Sequence, residues 1–312
     1  MVHVAADVSK AEIAVFDGNT SFTIANQEAS IDRMLAQLPP NSVVALEATG
    51  IYGELLAKKA YEKGHTVYVV QPSWIKAYRR SLGRRAKTDK IDAVQIREFV
   101  LQNSYKLHPY KPLSPELGRL RDLVRQRQAV ADDLARARER YQALRMHPEF
   151  VKTLLDEYEE LKKRIDKKIK EALALIPRAK VLLKVPGIGI QTAAGLIVAL
   201  EHIPFQNEDA FVAYLGLDPV PNDSGNSHAP RRISKKGDPF LRRAAFMAAF
   251  AGCRTPAWAP RYNALKQKGL KPKQALIALA KKIAKVAFNL YRLQVEFDID
   301  KVKPKSDLDT QI

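Results

Sequence analysis

One cysteine, Cys253, stands in 312 residues, so the chain can form no internal disulfide and no thiolate zinc site. Its six histidines are scattered without metal-ligand spacing. No apolar run reaches the length of a membrane span, and the N-terminus lacks the apolar stretch of a signal peptide. No membrane partner is therefore expected, and a cytoplasmic, nucleoid-associated placement is. Long polar low-complexity tracts are missing as well. A composition of 46% apolar and 28% charged residues is that of a globular protein with room for two domains. Acidic residues are the scarcer charge: 34 Asp and Glu against 52 Lys and Arg leave a net charge of +18 and a pI near 9.8. Such an excess suits a polyanion, because binding releases the counterions condensed on its phosphates. The cations also cluster. Lys76, Arg79, Arg80, Arg84, Arg85, Lys87 and Lys90 crowd one segment, and Arg231, Arg232, Lys235, Lys236, Arg242 and Arg243 another. A ribosome-associated or membrane-surface protein would have less reason to concentrate them.

Against this basic background, four acids stand where a fold rarely wants charge. Asp7 ends the apolar run Val2-His3-Val4-Ala5-Ala6, and Glu47 ends Val43-Val44-Ala45-Leu46. Both read as carboxylates carried at the ends of buried strands. Asp89 and Asp92 lie three apart in Lys87-Thr88-Asp89-Lys90-Ile91-Asp92-Ala93, hence on one face of a helix. Carboxylates gathered in this way repel one another unless a hard cation neutralises them, and Mg²⁺ takes such oxygen ligands. Metal-assisted chemistry on a phosphodiester is the expectation.

The patterning predicts an α/β region followed by helices. Strands at 2–7, 12–16 and 22–25, joined by Ser9-Lys10 and Asp17-Gly18-Asn19, form an antiparallel meander. A helix near 30–37, a strand at 42–48, a helix at 52–63, a strand at 66–70, a basic helix from Ser73 and another from Thr88 follow. That order implies a mixed sheet with helical cover, as in a ribonuclease H-like domain over 1–108. Pro109, Pro112 and Pro115 mark a linker. Leu123, Val130, Leu134, Ala137, Tyr141 and Leu144 then follow alternating three- and four-residue steps, with Arg127 at one polar seam position. Pro148 breaks the run and Leu154, Tyr158, Leu161 and Ile165 resume it, so 109–176 reads as a coiled-coil hairpin suited to self-association.

A mostly helical domain is expected over 177–300, with 301–312 a tail. Val185-Pro186-Gly187-Ile188-Gly189 before an apolar helix has the form of a helix-hairpin-helix, in which Gly187 and Gly189 let backbone N–H groups approach a phosphate. Plain helix connectors share that Pro-Gly-x-Gly pattern. Between two later helices lies Asn222-Asp223-Ser224-Gly225-Asn226-Ser227-His228, before the basic run from Arg231 to Gly237. A stretch of this composition is by default a surface loop. A serine there could also attack phosphorus, with the neighbouring cations offsetting charge on the phosphoryl oxygens.

These residues resemble a known family. Asp7-Val8-Ser9-Lys10, Leu46-Glu47-Ala48-Thr49-Gly50 and the Asp89/Asp92 segment are similar to the N-terminal half of the DEDD transposases of the IS110 insertion-sequence family, relatives of the Piv-type DNA invertases. Pro186-Gly187-Ile188-Gly189, Gly216-Leu217-Asp218-Pro219, Ser224-Gly225 and Arg232-Ile233-Ser234-Lys235-Lys236-Gly237 resemble that family's second domain. The resemblance implies a RuvC-like domain whose acidic set is Asp7, Glu47, Asp89 and Asp92, and a catalytic serine falling on Ser224. It further implies recombination between donor and target DNA guided by a noncoding bridge RNA, in a homodimer or homotetramer. The chain departs from the pattern in placing Asp223 before Ser224 and Asn226-Ser227 after Gly225, which leaves Ser227 as a second candidate.

The mechanism expected has both halves acting on one phosphate. The carboxylates hold Mg²⁺, Ser224 attacks, Arg231, Arg232, Lys235 and Lys236 bind phosphates nearby, and the basic helix from Ser73 to Arg85 grips RNA or DNA with Trp74 and Tyr78 available for stacking. A RuvC-like junction endonuclease would use the same acids with water and have no need of Ser224. A non-catalytic scaffold would have little use for acids in buried strands. An actin-like sugar kinase would want glycines that Asp7-Val8-Ser9 lacks.

Overall fold

A computed structural model describes residues 3–48, 50–83, 89–144, 148–220, 223–224, 227–228 and 232–302. Among these, side chains are not described at 89–91, 144, 148, 150, 223–224 and 227–228. The chain divides into two compact units, Met1–Pro112 and Leu113–Ile312.

The first unit is built on one mixed sheet. Strands β1 (His3–Val8), β2 (Glu12–Phe16), β3 (Ser21–Ala25), β4 (Val43–Glu47) and β5 (Thr66–Val70) lie in the order β3-β2-β1-β4-β5. β1, β2 and β3 pair antiparallel, whereas β4 is parallel to both β1 and β5. Local chemistry sets the turns. The Ser9 hydroxyl accepts from the Glu12 amide at 3.1 Å, and one Asp17 oxygen accepts from the amides of Asn19 and Thr20, each at 2.8 Å. Parallel pairing needs crossovers, which α1 (Glu28–Ala36) and α2 (Glu54–Glu62) supply.

Because side chains alternate across a strand, the sheet has two unlike faces. Val4, Ala6, Val8, Val44, Leu46 and Val67 meet Ile31, Met34 and Leu35 of α1 and Leu56, Ala57 and Ala60 of α2. Ala5, Val43, Ala45 and Val70 meet Ile75 of α3 (Pro72–Ser81) and Ile96 and Val100 of α4 (Asp89–Asn103). The predicted strands and helices of this region thus form as read, as a five-stranded mixed sheet with helical cover.

The second unit is helical. α5 (Pro115–Leu144) and α6 (Pro148–Ala174) make an antiparallel hairpin, about 45 Å along α5 at 1.5 Å per residue. Arg127, the one polar seam residue, meets Asp166 with Nε–Oδ1 at 3.0 Å and Nη2–Oδ2 at 3.4 Å. Then come α7 (Lys180–Leu183), α8 (Ile190–His202), α9 (Glu208–Tyr214), α10 (Pro239–Gly252), α11 (Ala259–Gln267) and α12 (Pro272–Leu293). Their core is continuous with the hairpin: Leu120, Leu123, Val124, Ile165, Ile169 and Leu173 share one apolar cluster with residues of α8, α10 and α12. Side-chain caps start two of these helices. The Asn207 oxygen accepts from Ala210, and that of Asp238 from Phe240 and Leu241. Each such cap stabilises its helix by about 1 kcal/mol. Among the described residues, no helix is long and apolar enough to cross a membrane.

Where the sequence reads as a loop between α9 and α10, the chain makes nested strand pairs. β6 (Pro219–Val220) pairs antiparallel with β9 (Arg232–Ile233), and within them β7 (Asp223–Ser224) pairs with β8 (Ser227–His228).

Candidate active site

Asp7 and Glu47 belong by alternation to the sheet face that carries Ala5, Val43 and Ala45. β1 and β4 run parallel with Ala6 opposite Leu46, so the next register step sets Asp7 beside Glu47. Both are partly exposed and neither is without an interaction partner. α4 packs on that same face through Ile96 and Val100, and Asp92 lies one turn before Ile96. Asp92 is 5% exposed, which a bare carboxylate does not tolerate. Its counter-charge is Arg79 of α3, whose Nη2 donates to Asp92 Oδ1 while its Nε donates to Gln95 Oε1 at 2.7 Å. Gln95 is completely buried, and among the described residues its Nε2 has no hydrogen-bond partner.

Three of the four expected acids thus face one side of the sheet from two adjacent strands and one helix. Asp89 begins α4 one turn ahead of Asp92, and its side chain lies outside the described residues. All the donors are carboxylate oxygens, which suits a hard divalent cation. Among the described residues, which leave out the Asp89 side chain, no group of three or more possible ligands is drawn close enough to hold a metal, and Asp92 is paired with Arg79.

The basic helix α3 holds Lys76 and Arg80 exposed, whereas Arg79 is turned to Asp92. Trp74 remains 42% exposed and approaches Phe99 of α4 at 6.4 Å between centroids; Tyr78 meets the same ring edge-on at 5.5 Å. Arg84, Arg85 and Lys87 lie outside the described residues.

In the second unit, Ser224 and Ser227 are register partners at the last pair of the inner hairpin. The structure therefore places both candidate serines at one tip. The base of the hairpin is tightly tied. Ser234 donates its hydroxyl to Asp218 Oδ1, its amide donates to the Asp218 carbonyl at 2.9 Å, and the Lys235 amide donates to the Gly216 carbonyl at 3.2 Å. Lys235 takes a left-handed φ of 54°, unusual for a residue with a side chain and costing about 1 kcal/mol. That bend seats Gly237 against Gly216, with its amide neighbour Asp238 donating to the Tyr214 carbonyl at 3.2 Å. Arg232, Lys235 and Lys236 are exposed around this base, and Arg231 lies outside the described residues. Burial pushes the nearby Tyr214 phenol up to about 12, with the Asp238 charge adding to the shift, so it stays neutral.

Gly187 and Gly189 play different parts. Gly187 has φ 92° and packs on α10: a Cβ there would stand 2.3 Å from the Ala248 carbonyl oxygen. The Trp258 indole fixes the same turn by donating to the Pro186 carbonyl at 2.9 Å. Gly189 is the exposed N-cap of α8, with no side-chain cap and nothing within 4 Å of an added Cβ.

Sequence reasoning missed Gln95, and it missed the pairing of Arg79 with Asp92. The spacing of Gln95, three residues after Asp92 on one helix, was a usable signal for the first. The second depends on how α3 meets α4, and no local pattern carries that.

Residues 3–147 match a family model described as a transposase, of the DEDD type of IS110 elements, and residues 179–264 match one described as a transposase of the IS116/IS110/IS902 family. The chain is 33% identical over 265 residues to a pilin gene-inverting protein of Moraxella bovis, with 81% of each chain covered. A pilin gene-inverting protein of Moraxella lacunata is 32% identical over the same length and coverage. A transposase for the insertion sequence element IS1328 of Yersinia enterocolitica is 28% identical over 263 residues, 72% of this chain and 75% of that one.

Proposed function

Because the chain belongs to the IS110 family of transposases and is a recombinase enzyme, we propose that it cuts and rejoins DNA by serine attack on phosphodiesters, supported by a divalent cation and directed by a noncoding RNA. The observation that carries the reading is the set of Asp7, Glu47 and Asp92 on one face of a sheet in a strongly basic protein. Asp7, Glu47, Asp89 and Asp92 would hold the cation, for which Mg²⁺ is the natural choice. When bound it supplies charge neutralisation at the phosphate oxygens and lowers the barrier to attack.

Ser224 is the nucleophile. Its hydroxyl loses a proton as the Oγ–P bond forms, and the leaving sugar oxygen takes one up as its bond to phosphorus breaks. Phosphodiester energy is kept in the serine link, so a second sugar hydroxyl can reverse the step on a new strand without ATP. Arg231, Arg232, Lys235 and Lys236 balance charge on that phosphate. Lys76, Arg79, Arg80, Arg84, Arg85 and Lys87 hold the RNA or DNA backbone, and the backbone amides around Gly187 and Gly189 take a further phosphate. The RuvC-like sheet unit, the coiled-coil hairpin and the serine unit act within a homodimer or homotetramer.

The test is to purify the protein with its bound nucleic acid, sequence any RNA, and add DNA carrying the matching ends. A denaturation-resistant protein–DNA link, mapped by mass spectrometry to Ser224, is expected. A link on Ser227 moves the nucleophile to the facing residue of the same register pair. Cleavage without any link identifies water as the nucleophile and a nuclease of the junction-resolving kind.

A further inference from the structure

The contact between α3 and α4 contains a positive charge where the proposed chemistry needs a different one. The Asp92 side chain is 7% exposed and that of Arg79 is 18% exposed, so their pair is largely out of water. A carboxylate buried there without a partner is strongly destabilising, and Arg79 supplies that partner. The same carboxylate belongs to the acidic set that faces the sheet. A guanidinium and a doubly charged ion cannot both sit at full strength on its oxygens, because they repel each other across one small group.

Gln95 sharpens the point. Its carbonyl oxygen holds the Arg79 Nε, yet its own amide N–H groups are completely buried with no acceptor among the described residues. A buried donor left in that state is destabilising. The hydrogen-bond network is thus incomplete in the arrangement that seats Arg79. Withdrawal of the guanidinium would leave the Asp92 carboxylate, three residues away on the same helical face, as an acceptor for that amide.

We propose that Arg79 is a latch: it neutralises Asp92 in the cation-free protein, is displaced when a divalent cation occupies the acidic set, and then joins the exposed Lys76 and Arg80 of α3 in binding nucleic-acid phosphate. The inference rests on the reading of Asp7, Glu47, Asp89 and Asp92 as cation ligands. It adds a positioning residue that makes cation binding and nucleic-acid binding each strengthen the other, as linkage requires.

Two measurements on the full chain test it. The first is Mn²⁺ affinity by electron paramagnetic resonance, without nucleic acid, for the wild type, Arg79→Gln, Arg79→Lys and Asp92→Asn. Displacement predicts that Arg79→Gln binds Mn²⁺ about tenfold more tightly or better, since about 1.4 kcal/mol of competition corresponds to that factor. Arg79→Lys keeps the charge but not the paired geometry and should fall between. Wild-type affinity in Arg79→Lys would reduce the effect to a general field and overturn the latch, as would unchanged or weaker binding in Arg79→Gln. If Arg79→Gln does not fold, Arg79→Lys alone decides between these outcomes. The second measurement is binding of a fluorescent random-sequence duplex with and without Mn²⁺. The ion should tighten binding by the wild type and lose that effect in Arg79→Gln; an equal increment in both would overturn the proposal. If Asp92→Asn binds Mn²⁺ like the wild type, the carboxylate reading fails and the latch with it. Loss in Asp92→Asn with no gain in either Arg79 variant sinks the latch alone.

Discussion

The acidic set and the serine tip are held in place by opposite means. Asp7, Glu47 and Asp92 ride on elements whose other residues are core: Ala5, Val43, Ala45, Ile96 and Val100 fix the strands and α4, and the acids go where those residues send them. At the base of the serine hairpin, Leu217 and Ile233 reach the core of the second unit. The hairpin's register comes from β6 pairing with β9 and from the Asp218–Ser234–Gly216–Lys235 bonds at its base. Packing positions one half of the proposed chemistry, and polar and backbone contacts at the hairpin base position the other. A change that leaves the first untouched can therefore dislocate the second.

The largest effects should separate the halves. Asp92→Asn is expected to abolish both Mn²⁺ binding and strand cleavage, whereas Ser224→Ala should abolish the covalent link, by at least about 10³-fold, with Mn²⁺ binding intact. Loss of Mn²⁺ binding in Ser224→Ala would end the division of labour. Next is Gly187→Ala. The added methyl meets the Ala248 oxygen and Gly252 of α10 and sits at a left-handed φ, so unfolding free energy should fall by about 3 kcal/mol or more. Denaturant titration of the variant measures it, and a loss under about 1 kcal/mol would mean that the turn is looser than its packing.

Acid should act on the first unit through His65. Burial lowers its pKa below the ordinary 6.5, more than its contact with the Leu35 backbone raises it, and its Nδ1 is buried without a partner among the described residues. The imidazole stays neutral when folded and gains a proton on unfolding, so its contribution is complete above pH 6.5 and is lost as pH falls through the folded value. His3, lowered mainly by burial and further by Arg97, acts in the same direction. Melting temperature should therefore fall between pH 7 and about pH 5, less steeply in His65→Gln; parallel slopes would assign the acid loss elsewhere. The smallest effect belongs to the Arg127–Asp166 pair, with side chains 20% and 32% exposed. A double-mutant cycle should return about 0.5–1 kcal/mol, and much more would make the hairpin a polar-specified rather than an apolar-specified element.

What the sequence makes legible follows the same divide. Strand alternation and the placement of Asp7 and Glu47 are local signals, and the five strands and their helices form where the pattern puts them. The Asp89/Asp92 spacing likewise falls on one helix, α4. The strands around Ser224 were not legible, because two-residue strands in a Pro-, Asn- and Gly-rich stretch have no period to detect. Nor was the partner of Arg79, since a helix-to-helix contact depends on packing geometry. Arg127 shows the intermediate case: its odd place in the seam was visible, but its Asp166 partner on the next helix was not.

Gly216 and Gly237 touch backbone to backbone: a methyl on Gly237 would lie 2.0 Å from the Tyr214 oxygen and 2.4 Å from the Gly216 nitrogen. For a mobile gene this bears on how copies die. One base change that puts any side chain at Gly237 forces the base of the hairpin apart without altering any residue of the proposed chemistry. On the proposed mechanism, decaying copies in a genome would then carry every acid and serine intact and still be silent, and a census of living elements that checks only those residues would count the dead among them.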